Sequence, residues 1–155
     1  MIGTVIRIAL PADADSLTQR YRELVDDPAI RVLPERLAEL AAHPDHALLV
    51  LERAGELLAT AHLLFFRDAM YAEQPYALVE NVVVAAEARG QGLGRHLFEE
   101  IDRRCLARNC SKIMLLSNAS RVDAHRFFAA QGYQGDRKRG FVRYRRDMQT
   151  ARPVQ

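Results

Sequence analysis

The chain of 155 residues contains no tryptophan, two cysteines, and only two lysines among its 22 basic residues. Each scarcity excludes something. Cys105 and Cys110 are five positions apart and fall on different faces of any helix, so neither a disulfide framework nor a zinc site follows from them. The expectation is reduced thiols in a cytoplasmic protein. Apolar runs stop at five residues, as from Ala47 to Leu51, far short of the ~20 that a membrane helix needs. Arg7 and Asp13 interrupt the N-terminus before an apolar stretch forms, which argues against a signal peptide. Charge of one sign is lacking too: 22 basic against 20 acidic side chains leave a formal +2, no field for coating nucleic acid. Small molecules are therefore the expected partners, with no nucleic acid and no membrane. The predominance of arginine over lysine reads as codon bias. What the chain does have is 49% hydrophobic residues, over a length that fits one domain with an unstapled core. One unit over residues 1–147, followed by a tail at 148–155, is the expected organisation.

Patterning places the elements. Thr4 to Leu10 alternates as an opening strand, and Pro11 ends it. Asp13 is suited to cap a helix carrying Leu17, Tyr21, Leu24 and Val25. Pro34 begins a second helix that buries Leu37, Leu40 and Ala41. His46–Arg53 and Leu57–Phe66 read as a hairpin turning at Ala54-Gly55-Glu56, and residues 67–75 as a loop. Leu78 to Val84 is apolar on both faces, a central strand. A helix then runs to about Arg108 with Leu93, Leu97, Ile101 and Cys105 in one stripe. Lys112 to Ser117 is a short strand, and Ser120 with Asp123 predicts a capping box for a last helix that Gly132 stops. Two final strands are expected, near Tyr133 and from Gly140 to Arg146. The order βααβββαβαββ describes a mixed α/β fold, mostly antiparallel, with helices on both sheet faces.

The chemistry concentrates where Val82-Val83-Val84 runs through Ala85 to Ala88 into Arg89-Gly90-Gln91-Gly92-Leu93-Gly94-Arg95. A buried strand feeds a glycine-rich turn that opens a helix. Glycines admit positive φ and let a ligand approach the main chain. The unpaired N–H groups of the first helical turn, with the helix dipole behind them, attract phosphate, and Arg89 and Arg95 add positive charge. The bland alternative is a tight packing turn, but three alternating glycines between two arginines exceed that need. A P-loop is excluded because no Gly-Lys-Ser/Thr follows at the required spacing. A Rossmann fingerprint is excluded as well. The glycines are spaced two and two, the strand comes late, and Lys112-Ile113-Met114 stands where an acidic residue would be needed.

Arg89-x-x-Gly92-x-Gly94 resembles the Gln/Arg-x-x-Gly-x-Gly/Ala acetyl-CoA signature of the GCN5-related N-acetyltransferase (GNAT) superfamily. The likeness extends to the preceding Glu80-Asn81-Val82-Val83-Val84 and the later Ser117-Asn118, Ala124-His125-Arg126-Phe127-Phe128 and Gly132-Tyr133. It covers roughly residues 4–146 and is strongest over 78–133. It implies acetyl-CoA as cosubstrate, with Val82, Val83 and Val84 offering main-chain groups to the pantetheine arm where this strand splays from the next. It also implies that Arg89, Gly90, Gln91, Gly92, Leu93, Gly94 and Arg95 hold the pyrophosphate. Asn118 and Arg121 are cofactor-contact candidates, against a simple turn and a helix-start salt bridge respectively. Relatives often place a tyrosine general acid where this chain has Phe128, which is then expected to pack beside the cofactor. The Arg121-x-x-Ala124-His125-Arg126-Phe127 pattern resembles a branch that includes aminoalkylphosphonate acetyltransferases.

Glu80 is the candidate catalytic residue. A carboxylate in a strand apolar on both faces is costly to bury unpaired. As a general base it could take a proton from an acceptor amine; as a strand-end residue it could pair with an arginine. An amine of pKa ~10.4 lies ~3.4 units above pH 7, so deprotonating it costs about 4.6 kcal/mol. A thiol of pKa ~8.5 departs nearly unassisted, and Ser117 or water could reprotonate it. No cysteine is placed to form an acyl-enzyme, so direct transfer in a ternary complex is expected. His62 and His125 read as structural histidines. The cluster of Arg137, Lys138, Arg139, Arg143, Arg145 and Arg146, bracketed by Asp136 and Asp147, reads as a solvated hairpin rather than a nucleic-acid surface. The acceptor would be shaped by the first two helices and the 67–75 loop, where Glu73 could attract an ammonium group. A catalytically silent acetyl-CoA sensor is the competing class, and a homodimer, common among relatives, is left open.

Overall fold

The computed structural model describes residues 3–148, so most of the expected tail, residues 149–155, lies outside the described residues. Two compact units divide the chain, one running to Leu115 and the other starting at Leu116.

The first unit is a five-stranded sheet in the order β1-β2-β3-β4-β5. Its strands are β1 (Thr4–Ile8), β2 (His46–Arg53), β3 (Glu56–Phe66), β4 (Tyr76–Val84) and β5 (Ile113–Leu115). All pairings are antiparallel except the last. Ala54 and Gly55 both take positive φ, the twist that lets a two-residue turn join β2 to β3. Alternation along β2 sends Leu48 and Val50 to one face, where they meet Leu17 of α1 (Ala14–Leu24) and Leu37 of α2 (Pro34–Ala42). Leu49, Leu51, Ala59, Ala61 and Leu63 are buried on the opposite face. That face receives α3 (Leu93–Ala107), whose Leu93, Leu97, Ile101 and Cys105 are all buried as the four-residue stripe predicts. Helices thus cover both faces of the sheet.

Two local expectations in this unit are corrected. Asp13 does not cap α1 with its side chain; its carboxylate instead accepts from Arg7 at 2.7 and 2.9 Å and from the Leu10 N–H at 2.7 Å. Those charge-assisted bonds outcompete a cap and hold the carboxyl below its usual range. Ala41 is exposed, because nine-residue α2 turns only Leu37 and Leu40 inward.

The second unit holds α4 (Val122–Ala130) and α5 (Arg145–Met148). Gly132, at φ +92, stops α4 as expected. The Ser120–Asp123 capping box does not form. Arg121 is the cap residue, and Ser120 turns its N–H and hydroxyl to Asn118 Oδ1 at 3.1 and 2.9 Å. The two expected final strands are absent among the described residues: Tyr133 and 140–144 are irregular, and 145–148 is helical. A strand needs a partner ladder, and this stretch concentrates six basic residues on one short chain segment. Phe141, Val142 and Tyr144 are exposed there.

Candidate active site

The site is built around β4. Its ladder to β5 covers only Ala77, Leu78 and Val79. Beyond Val79 the β5 side of β4 has no strand partner, so Val82, Val83 and Val84 lie along an edge paired to β3 alone. The ladder stops there because β5 itself ends at Leu115. The β3–β4 register also slips by one residue. Thr60 pairs Val83 while His62 pairs Glu80, so Asn81 and Val82 together oppose Ala61. Asn81 accommodates this bulge at φ +53, a left-handed conformation asparagine tolerates better than most residues.

The glycine turn follows. Gly90 and Gly92 take φ +76 and +77, and a Cβ on Gly90 would meet open space. Gly92 is the N-cap of α3, with no side-chain cap bond and no acid in the first turn. The opening N–H groups of a fifteen-residue helix are therefore left for a ligand, at the positive end of its dipole. Leu93 and Gly94 are buried while Arg89, Gly90, Gln91, Gly92 and Arg95 are exposed. Arg89 Nε donates to the Val84 carbonyl at 3.2 Å, Arg95 pairs with Glu99 at 2.9 Å, and Gln91 accepts from Arg53 at 2.7 Å. An uncapped turn with two arginines fits a pyrophosphate.

Glu80 is half-buried, and that burial raises its pKa. Its ladder partner His62 is half-buried too, and its Nε2 lies 2.9 Å from His46 Nδ1. Burial, with His46 adding to it, lowers the His62 pKa to about 4. On the same face Tyr21 is hydrogen-bonded to Thr60, and its pKa is pushed up to about 12 by burial.

In the second unit Asn118 is exposed. Its Oδ1 shapes the turn through Ser120, and its carbonyl oxygen lies 2.9 Å from His125 Nε2. Arg121 is exposed, and the helix-start salt bridge does not form among the described residues. Phe128 is buried at 8% exposure and stacks edge-on with Phe127. The Ser117 hydroxyl is buried with no hydrogen-bond partner among the described residues.

Three features escaped the sequence. The His46–His62 contact needs the β2–β3 register, although the histidines' alternation with Leu48 and Thr60 puts them on one face. Buried Arg20 of α1 pairs with Glu23 and, at 3.4 Å, with Glu87 just ahead of the glycine turn. The thiols of Cys105 and Cys110 meet, because Cys110 lies beyond α3, where the chain doubles back at Asn109 (φ +58).

The model of the acetyltransferase (GNAT) family matches residues 14–133, and the chain belongs to that family. Over 89 residues, 56% of the chain, it is 37% identical to glucosamine 6-phosphate N-acetyltransferase 1 of Oryza sativa subsp. japonica. That stretch spans 53%, about half, of the relative's own length. A solved protein from Agrobacterium tumefaciens str. C58, described as an acetyltransferase, is 29% identical with a TM-score of 0.81, over 90% of this chain and 99% of that one. Glucosamine-6-phosphate N-acetyltransferase from Arabidopsis thaliana shares the fold at 21% identity and a TM-score of 0.77, over 91% and 97% of the two chains.

Proposed function

We propose that the protein moves the acetyl group of acetyl-CoA to a primary amine of a small molecule or peptide, by direct attack in a ternary complex. The observation that carries this reading is the open β4 edge, which leads from a half-buried carboxylate into an uncapped glycine turn. Acetyl-CoA is the cosubstrate of this reading, with Val82 to Val84 and Arg89 to Arg95 of the first unit to hold it; in the second unit Asn118, Arg121 and Phe128 are the candidates that the resemblance marks. The amine nitrogen attacks the thioester carbonyl carbon as Glu80 takes its proton. A main-chain N–H of the Val82–Val84 edge stabilises the oxyanion. Collapse breaks the C–S bond, and the thiolate leaves to be protonated by water. The rice and Arabidopsis relatives make an amino-sugar phosphate the first acceptor to try. A cytoplasmic location fits the reduced thiols.

Thiol release tests this with glucosamine 6-phosphate, polyamines, aminoglycosides, amino acids and peptides. Glu80→Gln should lower kcat/KM on the accepted amine by about 10²–10⁴-fold. Full activity from pH 6 to 9 would remove Glu80 from the mechanism. Buried Phe128, with no proton to give, favours a second reading: a sensor that binds acetyl-CoA without turnover. Calorimetric binding with no thiol released across the panel would identify it.

A further inference from the structure

Glu80, His62 and His46 form a row on the sheet face that packs against α1 and α2, with His43 of the loop before β2 beside His46. The β4 bulge sets Glu80 directly across from His62, a pairing that brings Cβ atoms to about 4.5–5.5 Å. His62 Nε2 lies 2.9 Å from His46 Nδ1, with the rings 5.1 Å apart. The His46 ring meets His43 edge-on at 4.8 Å, and His43 is exposed. We propose that His62 and His46 are positioning residues that pass the proton collected by Glu80 outward to solvent. The inference rests on Glu80 being the base.

The need is physical. A half-buried carboxylate that has gained a proton must lose it before the next turnover, while substrates cover it. A neutral imidazole accepts at one nitrogen while donating from the other. With the proton of His62 on Nε2, hydrogen-bonded to His46, Nδ1 keeps a lone pair to accept a proton from its ladder partner. Arrival of the Glu80 proton at Nδ1 is matched by departure of the Nε2 proton to His46 Nδ1. His46 then releases its Nε2 proton to water, and ring reorientation restores the pair. One proton leaves the amine and one reaches solvent. The low basicity of His62 keeps the proton from lodging there.

Other groups facing this row are committed. Tyr21 of α1 is bonded to Thr60. Tyr76 of β4 stacks on Phe66. Asp45, which favours protonated His46, is held by Arg67 and Arg108 at 2.9 and 2.8 Å. The Asp45 N–H donates to His43 Nδ1 at 3.0 Å.

The test compares wild type, Glu80→Gln, His62→Gln and His46→Gln, using glucosamine 6-phosphate and acetyl-CoA in dilute buffer from pH 5.5 to 9. His62→Gln and His46→Gln should each lower kcat about tenfold or more, leave the acceptor KM within about twofold, and recover with added imidazole. Wild-type kcat and pH profile in both, or a loss that imidazole does not restore, overturns the relay while the base reading stands. A silent Glu80→Gln overturns the base, and the relay with it. Histidine NMR titration of the intact protein supplies a readout independent of turnover. The His62 midpoint should move in both His46→Gln and Glu80→Gln, and a His62 signal blind to both substitutions overturns the relay whichever amine is accepted.

Discussion

Glu80 and His62 face each other across β3 and β4, and burial moves both towards their neutral forms, the acid upward and the imidazole down to about 4. For His62 the unfolded chain, near 6.5, binds a proton that the native protein refuses between about pH 6.5 and 4. Stability therefore falls as pH drops through that window, by as much as about 3 kcal/mol. Urea unfolding at pH 7 and 4.5 should show this loss, and His62→Phe should shrink it. Glu100, held at about 2 by Arg103 and Arg104, gives up its share lower, as pH falls from the usual carboxylate range towards 2. For Glu80 the sign is opposite. Its folded pKa lies above the unfolded value, so stability drops as pH rises through that interval, and the ionised carboxylate is a standing cost at neutral pH. Glu80→Gln should raise the urea midpoint at pH 7 while abolishing most turnover. The type and strand of Glu80 were legible in the sequence, because a lone acid interrupts an apolar run. The partner was not, since His62 is eighteen positions away and is brought opposite only by the hairpin and the bulge.

At the scale of elements, the strand–turn–helix unit from β4 to α3 was the most legible part, because its signals are local: glycines at 90, 92 and 94, then a four-residue apolar stripe. Gly92→Ala forces an L-residue to φ +77 and should cost about 1–2 kcal/mol. Gly90→Ala should cost about 1 kcal/mol from backbone strain alone, since its Cβ meets nothing. Thermal unfolding should fall by about 2–4 °C per kcal/mol, and calorimetry should show weaker coenzyme A binding in both. Caps were less legible. Asp13 and Ser120 have cap-forming chemistry, but each had a stronger partner nearby, Arg7 for the first and Asn118 for the second. The expected closing strands failed for a related reason. Alternation of Phe141, Arg143 and Arg145 says which residues would share a face, but not whether a ladder is there to receive them.

Across the whole molecule, charge and length excluded more than they assigned. The expected absence of nucleic acid among its partners rests on a formal charge of +2, with exposed arginines at 137–146 balanced by acids elsewhere. A labelled duplex at physiological salt should show no saturable anisotropy change at micromolar protein. Tight binding with a steep salt slope would reverse that assignment. No helix of the described residues is long and apolar enough to cross a membrane. The mixed sheet and its family were legible because the motif lies on a strand and a helix that periodicity had already placed.

The bend at Asn81 carries a consequence for how such a protein could be lost or made. Were β4 to run in unbroken step with β3 while keeping every residue, Asn81 would stand opposite His62, and every side chain ahead of it would change walls. The acid would then point beneath α3 rather than towards α1. One irregular step thus separates a sheet that presents this carboxylate from one that entombs it.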